Sequence, residues 1–160
     1  MRNQRGFSLI ELLIVVAIIL VIAAIAIPNM MRAKISANEA SAVASLRTIS
    51  TAETTYASTY PTVGYTCTLA ELGPPASGTA MSVAAAGILD SVLASGSKAG
   101  YTFNLQGCAG TPKANYTSTA APITVGATGT RAFCSSTPGV ITFAADGTIA
   151  TCLASGVVIQ

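Results

Sequence analysis

At 160 residues and 16.0 kDa, the chain can build one small domain beside a membrane element, but not two comfortable domains. Charged residues make up 9%, and two of the eight basic ones, Arg2 and Arg5, lie at the extreme N-terminus, so the remaining six basic residues match six acids and leave no electrostatic footprint for nucleic acid. His is absent and the acids are scattered, which excludes a Ser/His/Asp constellation, and no phosphate loop of the Walker type occurs.

The mean hydropathy of +0.62 is concentrated in one stretch. A short polar leader, residues 1–6, precedes an apolar run from Phe7 to Ile27, interrupted only by Ser8 and Glu11. As a helix rising about 1.5 Å per residue, this run spans roughly 30 Å, the thickness of a bilayer core. Arg2 and Arg5 ahead of it place the N-terminus in the cytoplasm and the rest of the chain outside. A cleavable secretory signal has an apolar region of about 7 to 15 residues with a small-residue site after it, whereas here the run is longer and the attractive processing point precedes it. A plain membrane anchor gains nothing from Glu11. At the centre of a span, charged residues cost about 2.5 to 3.5 kcal/mol, and less near its end. The natural partner for such an acid is a cation in the same low-dielectric layer. Cleavage between Gly6 and Phe7 creates one, the new α-amino group on Phe7.

The string Arg5-Gly6-Phe7-Ser8-Leu9-Ile10-Glu11-Leu12 resembles the processing and assembly motif of the type IV filament superfamily, which comprises type IV pilins and the pseudopilins of type II secretion. The resemblance implies that a prepilin peptidase cuts after Gly6 and methylates Phe7, and that Glu11 guides docking into a growing filament. Pro28 stands where pilins also tend to carry proline, while Leu20 stands where many carry glycine. Pro28 cannot donate to the carbonyl of Ala24, so the helix is expected to kink or loosen there.

From Asn29 to Tyr60 there is no Gly or Pro, and Ile35, Val43, Leu46, Ile49, Tyr56 and Tyr60 form an apolar stripe at helical spacing. Ala33, Ala37, Ala40, Ala44 and Ala52 permit close helix approach. One helix is therefore expected from about Phe7 to Ser58, ended by Pro61. Arg32 and Lys34 read as solvated charges just outside the membrane.

The head beyond it turns to Gly, Pro, Thr and Ser. Thr68-Leu-Ala-Glu71 has the pattern of a capping box for a short helix stopped by Gly73 and Pro74, and a second helix is expected over Val83 to Leu93, ending at Gly96. Strands are expected at Tyr101–Leu105, Ile123–Val125, Arg131–Cys134, Val140–Ala144 and Ile149–Cys152. Asp146-Gly147 predicts a two-residue hairpin in which Phe143 faces Ala150 and Ile141 faces Cys152, with Cys152 on the core side. The fold class is α+β: a long N-terminal helix packed on a small antiparallel sheet. Its divisions are a leader at 1–6, a membrane and polymerisation helix at 7–28, an amphipathic stalk at 29–60 and a head at 61–160.

Cys67, Cys108, Cys134 and Cys152 all follow the span, and their even number and wide spacing, without CxxC, argue for two disulfides and against zinc or redox catalysis. Of three possible pairings, Cys67–Cys108 with Cys134–Cys152 is favoured. The second pair resembles the disulfide-bounded C-terminal region of many pilins. Major pseudopilins commonly bind calcium near the C-terminus, but Asp146 is the sole acid after Cys108 and suits a turn better than a calcium site. The five Tyr and four Phe fit core packing better than a conducting stack. No enzymatic activity, metal or cofactor is expected.

The resemblance implies the major subunit of a type IV pilus, a helical homopolymer serving adhesion, motility or DNA uptake. Its implied partners are the prepilin peptidase, an inner-membrane assembly platform, a motor ATPase, minor pilins and, before assembly, the membrane. The subunit would wait as a single-pass inner-membrane protein with its head outside, becoming extracellular in the filament. The alternatives are a type II secretion pseudopilin, a minor pilin, or a monomeric membrane-anchored binding protein.

Overall fold

The computed structural model describes residues 7–137 and 139–159; the leader with Arg2, Arg5 and Gly6 lies outside the described residues, as do Pro138 and Gln160. Two compact units divide the chain, 1–34 and 35–160.

Helix α1, Leu9–Thr59, runs through both and is helical at Pro28 as well. In the first unit its side chains are exposed on every side except at Ala23, which is half-buried, and α1 is long and apolar enough to cross a membrane. In the second unit the burial is one-sided. Glu39, Ala42, Ser45, Leu46, Ile49, Ala52, Glu53 and Tyr56 are buried, at steps of three, one and three that trace one helix face. The expected apolar stripe is thus present, but Val43 lies at its edge and two acids lie inside it. Pro61 disfavours helix at the residue before it, and α1 stops accordingly at Thr59.

The buried face of α1 packs on a six-stranded antiparallel meander. Its strands are β1 (Ser97–Lys98), β2 (Tyr101–Gln106), β3 (Thr117–Pro122), β4 (Ala132–Ser136), β5 (Val140–Ala144) and β6 (Val157–Val158), hydrogen-bonded in sequence order. The register sets Phe103 opposite Ala120 and Ala120 opposite Phe133, so a small residue between two rings lets α1 approach the sheet. Tyr101, Phe103, Ala120, Phe133 and Ile141 share the core with Leu46, Ile49 and Tyr56. The α+β layout is therefore the one expected.

Several local expectations are corrected. The strand expected at Ile123–Val125 lies instead at Thr117–Pro122, and Ile123 and Val125 are exposed in the loop that follows. A central strand beneath a helix needs small side chains, and Ser118 and Ala120 are fully buried there. The helix expected over Val83 to Leu93 contracts to α3, Ser91–Ala94. Two observations account for this: Asp90 caps the later start, accepting from the amides of Val92 and Leu93 at 3.0 Å each, and Gly87 has φ +67°, outside helical backbone. The preceding residues instead donate to the segment of α2 (Leu69–Leu72): Ala86 to the carbonyl of Glu71, and Ile88 and Leu89 to that of Leu72. Helix α2 begins after Thr68 as expected, but the Thr68 side chain makes no capping bond.

The largest correction is at the C-terminus. Ile149–Cys152 belongs to helix α4, Ile149–Ser155, and not to a strand. Asp146 accepts from the Thr148 amide at 3.0 Å, the Thr148 hydroxyl at 2.9 Å and the Thr151 hydroxyl at 2.7 Å, which fastens the start of a helix where a hairpin turn was expected. Gly147 has φ +73°, but Asp146 does not share the left-handed backbone that the two-residue turn requires. β5 consequently pairs with β6, Phe143 opposite Val157 and Thr142 opposite Val158. Cys152 lies on the sheet face away from α1, with Cys134, Ala144 and Ile149.

Candidate functional site

At the start of α1, Phe7 is exposed and Ser8 precedes the first helical residue, Leu9. The Ser8 amide donates to Glu11 Oε2 at 2.9 Å, and the Leu12 amide donates to the Ser8 carbonyl at 3.2 Å. Glu11 therefore closes the first turn as the returning arm of a capping box, satisfying an amide that has no partner within the helix. The sequence held this signal in Ser8-x-x-Glu11, which the membrane cost of the acid obscured. A carboxylate has acceptor capacity for about four hydrogens, so this bond does not exhaust Glu11. Phe7 and Glu11 are brought to the same turn through Ser8. Gly6, the other half of the expected processing site, lies outside the described residues. Leu9, Leu12, Leu13, Val16, Ala17 and Leu20 form one shallow groove along the same helix.

In the head, two acids on α1 fasten the helix to other segments, Glu39 to the residues leading into β4 and Glu53 to the segment that follows α1. Glu39 Oε1 accepts from the Thr130 amide at 2.9 Å, the Thr130 hydroxyl at 2.7 Å and the Arg131 amide at 3.1 Å; Oε2 accepts from Arg131 Nε at 2.8 Å and pairs with Nη2 at 2.6 Å. Burial alone would raise its pKa, but the Thr130 bonds, then the Arg131 bond and charge, outweigh burial and hold the carboxyl below its usual value. The Arg131 guanidinium also lies over the rings of Phe133 and Phe143, 5.6 and 5.3 Å from their centroids.

Glu53 is fully buried, accepting from the Thr66 amide at 2.8 Å and the Thr66 hydroxyl at 2.6 Å. Here burial wins over the two Thr66 bonds, the Glu71 charge adds to it against Lys113, and the pKa is raised. The site accommodates the neutral acid: a protonated Glu53 can donate to the Thr66 hydroxyl, which has the Thr68 carbonyl at 3.2 Å as its own acceptor. A folded state that keeps this proton gains on the unfolded chain at low pH and loses that gain as pH rises from the ordinary 4.5 through the raised value. Glu53→Gln should therefore be at least as stable as the parent at pH 7, because the amide repeats the neutral pattern without the buried charge. Glu53→Leu should lose about 1–3 kcal/mol by orphaning the Thr66 donors. Urea unfolding at pH 4 and pH 7 checks both, and a glutamine variant weaker than the parent by more than about 1 kcal/mol at pH 7 contradicts the assignment.

Cys134 and Cys152 are joined by a disulfide that links β4 to α4, with their Cα atoms 6.1 Å apart. Cys67 and Cys108 are free thiols, both half-buried. Among the described residues no cluster of three His, Cys, Asp or Glu could hold a metal ion. Asp146 is spent on Thr148 and Thr151.

Residues 1–27 match the family model of the prokaryotic N-terminal methylation motif. Over 39 residues, 24% of this chain and 30% of the relative, the chain is 59% identical to the type IV wide pilus major component PilA4 of Thermus thermophilus. Over 54 residues, 34% of this chain and 24% of the relative, it is 46% identical to the type IV major pilin protein PilA of Myxococcus xanthus. The N-terminal part of the chain is thus similar to that of type IV pilins. The matches span under a third of the length of these curated relatives, and no solved structure matches the chain.

Proposed function

We propose that this chain is a type IV pilin, the major subunit of a type IV pilus, a helical homopolymer whose core is formed by the apolar half of α1 and whose surface is formed by the heads. The observation that carries the proposal is the methylation motif at residues 1–27 followed by a helix that leaves its apolar side chains uncovered. Leaving so much apolar surface in water is unfavourable by about 25 cal/mol per Å², so the helix belongs first in a bilayer and then among copies of itself. In this proposal a prepilin peptidase cuts between Gly6 and Phe7 and methylates Phe7. The subunit waits as a single-pass inner-membrane protein with its head outside the cytoplasm, and a platform with a motor ATPase draws it into the filament alongside minor pilins. Glu11 meets the Phe7 amine of a neighbouring subunit, and Pro28, which leaves the Ala24 carbonyl without its helical donor, is where α1 loosens on assembly. The names of the relatives and the Cys134–Cys152 bridge favour a pilin over a pseudopilin.

Mass spectrometry of sheared surface filaments tests the proposal. The expected result is this chain as the dominant component, beginning at N-methylated Phe7. Filaments that lack it, or a cell-bound chain with the Gly6–Phe7 bond intact, would overturn the proposal.

A further inference from the structure

The two free thiols sit where two chain segments are already fastened. Lys113, in the connection between β2 and β3, donates its amide to the Val63 carbonyl at 2.9 Å, and its carbonyl accepts from the Tyr65 amide at 3.1 Å. Gly64 lies between, paired in parallel with Lys113, at φ +82°. A Cβ on Gly64 would collide with the Lys113 backbone, so this approach is open to glycine alone. Just beyond the clip, Cys108 Sγ donates to the Thr66 carbonyl at 3.0 Å, and Cys67 is the next residue. Thr66 in turn is pinned to α1 by both Glu53 oxygens. The thiols are thus held side by side by contacts to which neither contributes a covalent bond.

We propose that Cys67 and Cys108 close into a second disulfide when the head meets an oxidised thiol oxidoreductase, clasping the segment after α1 to the β2–β3 connection. The bridge requires only an oxidising compartment and holds whether or not the chain polymerises. Burial, then contact with Cys67 and its charge, then the Glu53 charge push the Cys108 thiol up to about 12 against the opposing Lys113, so Cys108 is protonated at neutral pH. Cys67 therefore begins the exchange. Its thiolate attacks one sulfur of the oxidoreductase disulfide and expels the other as a thiolate; the Cys108 sulfur then attacks Cys67 Sγ and displaces the oxidoreductase, whose leaving sulfur takes the proton. The chain loses two electrons and two protons, and the oxidoreductase disulfide becomes a dithiol.

The clasp would enclose α2, α3, β1 and β2 in a covalent loop separate from the one closed by Cys134 and Cys152. The test uses the full chain in detergent, reduced and then treated with oxidised glutathione, with alkylation and non-reducing peptide mapping as readouts. The expected result is a Cys67–Cys108 peptide, no alkylatable thiol, and a melting temperature about 10 °C above that of a chain reduced at this pair alone. Cys108→Ser keeps a donor for the Thr66 carbonyl and should melt like the singly reduced chain, while Gly64→Ala should slow closure by about tenfold or more by parting the segments. Two alkylatable thiols after oxidation, or Cys67 recovered linked to Cys134 or Cys152, would overturn the proposal.

Discussion

Glu39→Ala is expected to lower the unfolding free energy of the head by about 3 kcal/mol. Only 5% of Glu39 is exposed, and its removal takes the acceptor from two backbone amides and one hydroxyl as well as from the guanidinium. Each orphaned amide costs about 1–3 kcal/mol if water cannot reach it. The ion pair contributes less. The Arg131 side chain is 43% exposed and rests on Phe133 and Phe143, so the stranded cation rehydrates, and the loss stays near the lower end of the 3–5 kcal/mol usual for a broken buried pair. Were the contact merely a surface salt bridge, the loss would be about 0–1 kcal/mol, and a urea titration returning that value would contradict the assignment. The pH dependence separates charge from hydrogen bonding. With its folded pKa depressed, Glu39 stabilises the head fully above the ordinary value of 4.5, and that stabilisation is lost as pH falls through the folded value. The advantage of the parent over Glu39→Gln should accordingly be constant near neutrality and shrink in acid, the opposite trend to that expected at Glu53.

These two acids also mark where the sequence stops being legible. Helix α1 could be read because its signals are local: no Gly or Pro from Asn29 to Tyr60, apolar residues at helical spacing, and Pro61 to stop it. Nothing local reveals that Glu39 and Glu53 point inward, since the partners of Glu39 are 91 and 92 residues away and those of Glu53 lie beyond the end of the helix. Strand β3 was missed for a related reason. Thr117–Pro122 has little intrinsic strand preference, and what makes it a strand is the need for thin residues beneath Leu46 and Ile49, between the rings of Phe103 and Phe133. Helix α4 is hidden in the sequence because Asp-Gly carries two meanings, a hairpin turn or an acid ahead of a helix start, and the bonds from Thr148 and Thr151 to Asp146 decide for the second. At the candidate assembly site the sequence singles out Phe7 and Glu11 as residues, but the bond from the Ser8 amide to Glu11 depends on where the helix starts, which the uniformly apolar run does not mark.

That bond sharpens the prediction with the largest effect on function. In the proposed filament Glu11→Ala should reduce surface filaments by more than about tenfold while leaving the head folded, because there it would leave the amine of a neighbouring Phe7 unpaired in apolar surroundings. Alanine alone, however, does not say which job was lost. Glu11 also accepts from its own Ser8 amide, and a helix start deprived of a cap loses about 0.5–2 kcal/mol without any neighbour being involved. Glu11→Gln discriminates, because the amide oxygen can still accept from Ser8 but carries no charge to meet an amine. If Glu11 serves the cap, the glutamine variant makes normal filaments and only alanine fails. If it meets the Phe7 amine of a neighbour, both variants fail alike, and co-expressed parent subunits rescue incorporation of the variant, since its own amine can still be met by a parental Glu11. The neighbour pairing is the expected outcome. A fraying first turn is tolerable in a helix otherwise held by its surroundings, whereas an amine carried into the same apolar layer without a counter-charge is not.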